Sequence, residues 1–469
     1  MLKIPNISVY IPVFNYARYI EKAIQSVLNQ TFKDWELIVI NDGSTDGTEE
    51  ILRKYESHDK VTVVNQENKG LTKSCNIALR LANGEYVMRL DGDDYLDENA
   101  LLVMTHFLDE NPEIGLVYPD YYLIDEHDEV LSIERREKIS SDEWVLLDIP
   151  PHGACTMFRK HILQELGEYD EEIVCQDGYD MWIRFIENYK ADNINLPLFY
   201  YRQHSGSLTK NHERILDTRQ KIKRKHAELK RKRLKASKIK RVAIIPARTH
   251  TNIMPKLALQ ECAGQPLINY TIDEAIKSAS FNSIVVVSED DEILHHTENN
   301  YKKDVLTVTR PLEYGRRNTG IEKTVQLVLD VLKKNKGEEY EEGMLIFIES
   351  PLKKSKHILK AIDTMYIFET DSVISLCETN SPYYIRNNNS LERIGNQEQF
   401  RLERNTIYRG NGALFLFKIK NLAKGAIFGE KIGHIIMLKE ESININSPFD
   451  YKIAEFLIKE RNISLRSNT

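Results

Sequence analysis

Residues 86–94 read YVMRLDGDD. The first five, Tyr86–Leu90, form a short, largely apolar run of strand-forming residues, which predicts a buried strand. Asp91 and Asp93 follow at its carboxyl end, two residues apart, so both carboxylates can face one ligand. Hard carboxylate oxygens suit Mg2+ or Mn2+, and such ions hold a diphosphate with only one or two protein carboxylates. Taken alone, the string also reads as an acidic turn.

Outward from this strand the pattern repeats. ISVYIP at Ile7–Pro12, ELIVI at Glu36–Ile40 and VTVV at Val61–Val64 predict further strands, with helical stretches at Tyr19–Leu28 and Gly47–Tyr55. Alternating strands and helices predict a doubly wound parallel α/β sheet, whose ligands lie beyond the carboxyl ends of its strands. Beyond Ile40 runs NDGSTDGT, residues 41–48. There Asp42 can accept from the N–H of a base ring, whereas Ser44 and Asp46 suit helix capping. Pro12, Phe14 and Asn15 close the first strand, where a base would pack. Asn68, Lys73 and Asn76 stand ahead of the acidic strand.

The chain has 469 residues, more than one core usually serves, and the opening strand recurs as RVAIIP at Arg241–Pro246. Two α/β domains are expected, over residues 1–212 and 241–469. Between them residues 213–240 are strongly basic, free of Pro and Gly, and rich in helix formers. They read as a solvated linker helix. The other reading is a basic surface, over residues 221–241, for anionic lipid head groups or a polyanionic acceptor. A composition of 41% hydrophobic and 29% charged residues excludes a disordered chain, and a net charge of −7 with no nucleic-acid-binding module argues against nucleic acid. The five cysteines show no C-x-x-C pair and read as reduced thiols. With no signal-peptide pattern and no long apolar run, a cytoplasmic protein is expected, at most peripheral to the inner face of the membrane.

Six segments occur in the order of a known family: IPVFNYARYIEKAIQSVLNQTF, ELIVINDGSTDGT, NKGLTKSCNIAL, ANGEYVMRLDGDD, CQDGYDMWIRF and LFYYRQHSGSLT. In this order they resemble the family 2 glycosyltransferases of GT-A fold, across nearly all of the first 209 residues. The resemblance implies an inverting, metal-dependent transferase that uses a nucleotide-sugar donor, most naturally a UDP-sugar, with a glycan or lipid-linked acceptor. It implies that Asp42 binds the base, that Asp91 contacts the donor ribose and that Asp93 holds Mn2+ or Mg2+. It also implies that Arg202 and His204 belong to the segment closing over the diphosphate, His204 as a second metal ligand. The family's catalytic base lies in an E-D-Y-D-L-W-like motif. Counting back from Trp182, that E-D pair falls on Asp177 and Gly178, so the usual base position is glycine or the loop is shifted by one. Asp177 is the first candidate for the base and Asp180 the second.

The second half keeps RVAIIPAR, SIVVVSEDDEI, TRPLEYGRRNTG, IESPLKKSKHI, YRGNGALFLF and ININSPFDYKIAEFLI in order. This half resembles the cytidylyltransferases that activate acidic nine-carbon sugars. Three parts of that family's active site are altered. Thr249–Asn252 replace a glycine-rich loop with its lysine. Asn444 and Asn446 replace the aspartate pair that binds Mg2+, and Phe347-Ile348-Glu349 replaces Q-P-T. A degenerate domain follows from the resemblance, and Arg248, Lys256, Ser288, Asp290, Arg310, Asn411 and Gly412 could still line a pocket. The alternative is a bifunctional enzyme with a working cytidylyltransferase, and a weaker one is a scaffold of a glycan pathway. Relatives of this second half suggest a homodimer.

Overall fold

The computed structural model describes residues 5–135, 154–173, 175–204, 212–233, 239–249, 254–316, 318–379, 384–387, 390–393 and 407–467. Three features of the sequence lie outside them: residues 205–209 of the last transferase motif, the altered loop at 250–252, and part of the basic segment, 234–238.

In the first half the elements are β1 (Ile7–Val13), α1 (Ile20–Leu28), β2 (Trp35–Asp42), α2 (Thr48–Leu52), β3 (Val61–Gln66), α3 (Leu71–Leu81), β4 (Tyr86–Arg89), β5 (Tyr95–Leu96), α4 (Ala100–Glu110), β6 (Ile114–Ile124), β7 (Val130–Glu134), β8 (Met157–Arg159), α5 (Lys160–Leu166), α6 (Asp177–Ile186), β9 (Lys190–Arg202) and α7 (His212–Arg233). In the second half they are β10 (Arg241–Pro246), β11 (Glu261–Cys262), β12 (Gln265–Pro266), α8 (Leu267–Lys277), β13 (Ser283–Ser288), α9 (Asp291–Tyr301), β14 (Leu306–Thr309), α10 (Ile321–Lys336), β15 (Glu342–Ile346), α11 (Ser355–Phe368), β16 (Ser372–Thr379), β17 (Tyr384–Asn387), β18 (Ser390–Arg393), β19 (Ile407–Lys418), β20 (Ile432–Ile436) and α12 (Pro448–Ser467).

The chain divides into two compact units, whose main division falls between Ile222 and Lys223, inside α7, with β17 and β18 grouped with the first unit. The first unit holds a sheet ordered β3-β2-β1-β4-β8-β6-β9-β5, with β7 on β6. Its strands β3, β2, β1 and β4 run parallel. Successive residues of β1 point to opposite faces, as the pleat requires. Ile7, Val9, Ile11 and Val13 enter one apolar cluster, and Tyr10 enters the other with Ile38, Ile40 and Val87. A strand buried on both faces accounts for the largely apolar run ISVYIPV, interrupted only by Ser8. After β3 the chain crosses back to lay β4 on the far side of β1, so the loops after β1 and β4 sit side by side, where ligands bind in such sheets.

The second unit's sheet runs β14-β13-β10-β15-β19-β16-β20, with β14, β13, β10 and β15 parallel. Ala243 and Ile245 face one cluster, Val242 and Ile244 the other.

The basic segment is helical from His212, yet it is not a wholly solvated face. Ile222, Lys223 and Ala227 are buried. Within the second unit Lys223 Nζ donates to Thr364 Oγ1 (3.0 Å), and Lys230 Nζ to Ile367 O (3.2 Å) and Glu369. Part of the charge taken for a lipid-facing surface is therefore used against α11 and the residue after it. Among the described residues no helix is long and apolar enough to cross a membrane.

Candidate functional site

The loops at the carboxyl ends of β1, β2, β3, β4 and β9 and one helix start build the first site. The loop after β1 carries Phe14, which is 45% exposed, and Asn15, whose backbone is left-handed at φ 58°. Asn15 Oδ1 accepts from Thr45 N (2.8 Å), and Asn15 N donates to Ser44 Oγ (3.0 Å). Asp46 accepts from Ala17 N (2.9 Å) and Thr48 N (3.1 Å). Asn15, Ser44 and Asp46 thus latch the loop after β1 to the loop after β2, and Pro12 is buried at the end of β1.

Asp42, expected at the base, is buried and holds a loop. Its oxygens accept from Lys69 N (2.8 Å), Gly70 N (2.8 Å) and Gln66 Nε2 (2.7 Å). That shapes the exposed turn containing Asn68 and the first turn of α3, where Lys73 is exposed. Asn76 needs correction. Its side chain is buried and clamps Tyr169, donating to Tyr169 O and accepting from Tyr169 N, each at 2.9 Å. It is a structural clamp away from any open face.

Beyond β4 the three aspartates have different surroundings. Asp93 Oδ2 lies 3.0 Å from His204 Nε2, so the two expected metal ligands meet across the site. The Tyr16 and Tyr19 rings enclose His204, at centroid distances of 5.9 and 5.3 Å. Burial, followed by the charges of Asp93, Asp91 and Asp94, pushes the Tyr16 phenol upward. Asp94 is fully enclosed. Burial, reinforced by Asp93 and Asp91, holds its carboxyl well above the ordinary carboxylate value. A carboxylate oxygen and an imidazole nitrogen in contact fit Mn2+ or Mg2+ as a partial ligand set that leaves positions for diphosphate oxygens and water. Among the described residues no group of three or more His, Cys, Asp or Glu side chains forms a fuller cage.

Arg202 also requires correction. It does not stand open to a diphosphate. It is buried, donating from Nε to Asp93 O (2.8 Å), from Nη1 to Asp125 O (3.0 Å) and from Nη2 to Asp128 Oδ1 (2.6 Å). It therefore braces the backbone that carries Asp93.

The helix start at α6 supplies Asp177. The preceding Gln176 is left-handed at φ 61°, and its Oε1 accepts from Arg219 Nε of α7 (2.7 Å). Asp177 is buried, and its Oδ2 is bound by Arg89 Nη1. The same guanidinium grips Asp91 by Nε (2.6 Å) and Nη2 (3.1 Å). Asp180, the second candidate for the base, is 2% exposed and accepts from Arg184 Nε (2.9 Å) one helical turn on. That is an i,i+4 ion pair within α6, which stabilises the helix. The reading of the sequence missed Arg89, which shows there only as part of a strand; a charged residue inside an apolar run was the available signal.

In the second unit most of the expected pocket residues are engaged in bonds within the fold. Ser288 Oγ accepts from Asp290 N (3.0 Å), and Asp290 caps α9 through Glu292 N (2.9 Å). Lys256 is left-handed at φ 48° and pairs with Glu292. Arg310 donates to Glu289 Oε2 (2.8 Å) and Ala247 O (3.0 Å), while Glu289 Oε1 accepts from Thr249 N (2.9 Å). Arg248 is half-buried beside this loop. Asn411 is buried, bonded to Ser375 Oγ (2.6 Å) and Ser442 Oγ (3.0 Å). Asn444 Nδ2 donates to Asn411 O (3.0 Å) and Ser350 Oγ (3.1 Å), and sits where a Cβ on Gly412 would come within 2.5 Å of it.

Comparison with known proteins follows the same division. Residues 8–167 match the family model "Glycosyl transferase family 2", and residues 242–431 match the model "Cytidylyltransferase". An uncharacterised glycosyltransferase of Methanocaldococcus jannaschii is 32% identical over 206 residues, covering 42% of this chain and 71% of that protein. The chondroitin synthase of Escherichia coli is 31% identical over 194 residues, covering 41% of this chain and 28% of the synthase, so the chain spans under a third of that relative's length. Among solved structures, Staphylococcus aureus TarS 1–349 in complex with UDP-GlcNAc aligns at 21% identity with a TM-score of 0.40, covering 46% of this chain and 65% of that one.

Proposed function

Since the chain belongs, through its first domain, to glycosyl transferase family 2, we propose that this domain is an inverting transferase that moves a sugar from a UDP-sugar to a hydroxyl of a glycan or lipid-linked acceptor. The observation that carries the reading is the meeting of Asp93 with His204 beside β4, with Asp91 and Asp177 joined through one guanidinium next to them. Asp93 and His204 would hold Mn2+ or Mg2+; when bound, the ion offsets the charge of the leaving nucleoside diphosphate. Phe14 flanks the base, and Asp91 meets the ribose. Asp177 takes the proton of the acceptor hydroxyl as its oxygen bonds to the anomeric carbon. The bond from that carbon to the diphosphate oxygen breaks, and its electron pair leaves with the nucleotide. The chondroitin synthase relative favours a growing polysaccharide as acceptor.

The second domain, in this reading, keeps the cytidylyltransferase fold without nucleotidyl transfer. Support comes from Asn444, whose amide donates two hydrogen bonds that a carboxylate could not donate, and from Glu289, whose carboxylate occupies Thr249 N in the loop after β10. The first withholds a carboxylate ligand from Mg2+, and the second takes up a backbone N–H of the loop expected to cradle a triphosphate.

Calorimetric titration with UDP, CDP and GDP, each with and without Mn2+, tests the proposal. Mn2+-dependent binding of UDP, weakened about tenfold or more in Asp93→Ala, is expected. Binding that ignores both Mn2+ and Asp93 would remove the metal assignment, and no binding of any of the three would remove the transferase reading.

A further inference from the structure

Arg89 ends β4, and its side chain is only 7% exposed. A guanidinium so enclosed needs its charge and its donors matched, because an unpaired buried cation is costly. It has two counter-ions on different elements. Asp91, in the loop that follows, takes a fork of two bonds from Nε (2.6 Å) and Nη2 (3.1 Å), and Asp177, in the first turn of α6, takes Nη1 at Oδ2. The guanidinium is planar and its N–H directions are fixed, so holding Asp91 by the fork fixes where the third N–H points. Its root is fixed as well: Arg89 lies on the ladder opposite Tyr10, and its carbonyl accepts from Cys155 N (2.7 Å).

We propose that Arg89 is a positioning residue that sets the Asp177 carboxylate relative to the donor, with Asp91 as its reference point. The inference rests on the reading of Asp177 as the base and Asp91 as the ribose contact. Arg89 binds Asp177 through Oδ2, which leaves Oδ1 as the oxygen to receive the acceptor proton. Gln176, held by Arg219, fixes the backbone on the other side of Asp177. One rigid group thus relates the donor's ribose contact to the base.

The effect of misplacing a reacting group is large in turnover and small in donor affinity. Arg89→Lys keeps the charge but cannot form a fork to one carboxylate while holding a second. Its kcat should fall about 100-fold, well beyond the rise in donor KM that loosening Asp91 brings. In an Asp177→Asn background Arg89→Lys should cost nothing further, since it acts through that carboxylate. A kcat within about twofold of the unaltered protein, or a loss that adds in full to that of Asp177→Asn, would overturn the positioning role. If Asp177→Asn alone keeps full turnover, the base assignment fails and the inference falls with it, an outcome distinct from the other two. Should Arg89→Lys not fold, Asp177→Glu provides a second arm. A base held at a fixed guanidinium does not tolerate one added methylene, so kcat should drop about tenfold or more with circular dichroism unchanged, whereas unchanged kcat would overturn the proposal.

Discussion

His357 shows what burial does to a single side chain and what pH should do to the protein. Lys354 N donates to its Nδ1 (3.0 Å), and its Nε2 lies 3.0 Å from Glu441 Oε2. A ring that accepts at Nδ1 and donates from Nε2 is neutral. Burial holds its pKa below the ordinary 6.5, against the opposing pull of Glu441, with Lys356 and Lys360 adding to the lowering. Glu441 is itself held below its ordinary 4.5; burial works against this, and His357 and Lys356 outweigh it. A folded-state pKa that is lowered gives stability that is complete above the unfolded value and is lost as pH falls. Unfolding free energy of the second unit should therefore decline as pH drops from roughly 7 to 5, and His357→Gln should flatten that decline in urea titrations. An equal decline in the variant would assign the effect elsewhere. At this scale the sequence is informative about residue type and poor about partners. The pairing of acidic strand end and late histidine in Asp93 and His204 is legible through motif order. Asn76, Asp180 and Arg202 carry the same polar chemistry as a ligand, yet they are bonded inward, and whether a polar side chain points to a cleft or a clamp depends on burial that no spacing encodes. The Asp93→Ala titration probes the legible part of the site.

Elements are easier to read than their ends. β1, β2, β3 and β4 lie within one or two residues of their expected limits; in β1, β2 and β4 largely apolar runs mark strands buried on both faces, whereas β3 is a partly exposed edge strand marked by its β-branched residues. The pattern predicts one helix over Gly47–Tyr55; instead α2 stops at Leu52 and a tighter turn covers Arg53–Tyr55. α7 is legible as a helix and illegible as a packed one. Helix formers predict the backbone, whereas burial of Lys223 depends on Thr364, far along the chain. Loops make the sharpest test of element placement. Gly43 is left-handed, at φ +76°, and a Cβ there would lie 2.8 Å from Asn68 N and 3.3 Å from Gln66 O, both backbone. Gly167 has φ +85° with nothing within 4 Å. Gly167→Ala should cost about 1–2 kcal/mol from its backbone conformation alone. Gly43→Ala should cost more, about 3 kcal/mol, and should also weaken donor binding, since the loop at Asn68 must move. Denaturant midpoints and donor titrations of both variants check this; equal costs would mean that the loop yields freely.

Across the whole molecule the two sheets share one plan. In each, four parallel strands in the order third-second-first-fourth are followed by two antiparallel pairings and then a parallel one, through β8, β6 and β9 in one unit and β19, β16 and β20 in the other. The recurrence of ISVYIP as RVAIIP is the visible trace of that shared plan; the antiparallel half leaves no such trace, because its register depends on distant partners. A common architecture does not confer a common activity, since function resides in the site. One site has Asp93 facing His204, and the other has Asn444 bonded back into the fold. Each unit has its own apolar clusters, so each should melt as its own cooperative step, giving two transitions in a calorimetric scan. A ligand raises only the transition of the unit that binds it, by about 2.7 kcal/mol at a hundredfold excess over its dissociation constant. For a unit of this size that is a shift of about 5–10 °C. UDP with Mn2+ should move one transition, and Asp93→Ala should abolish the movement. CTP with Mg2+ should move neither. If CTP instead raises the transition that UDP leaves alone, the second unit binds nucleotide despite Asn444 and Glu289, and a bifunctional enzyme becomes the better account. If UDP moves both, the two units unfold as one, and their separate cores do not make separate folding units.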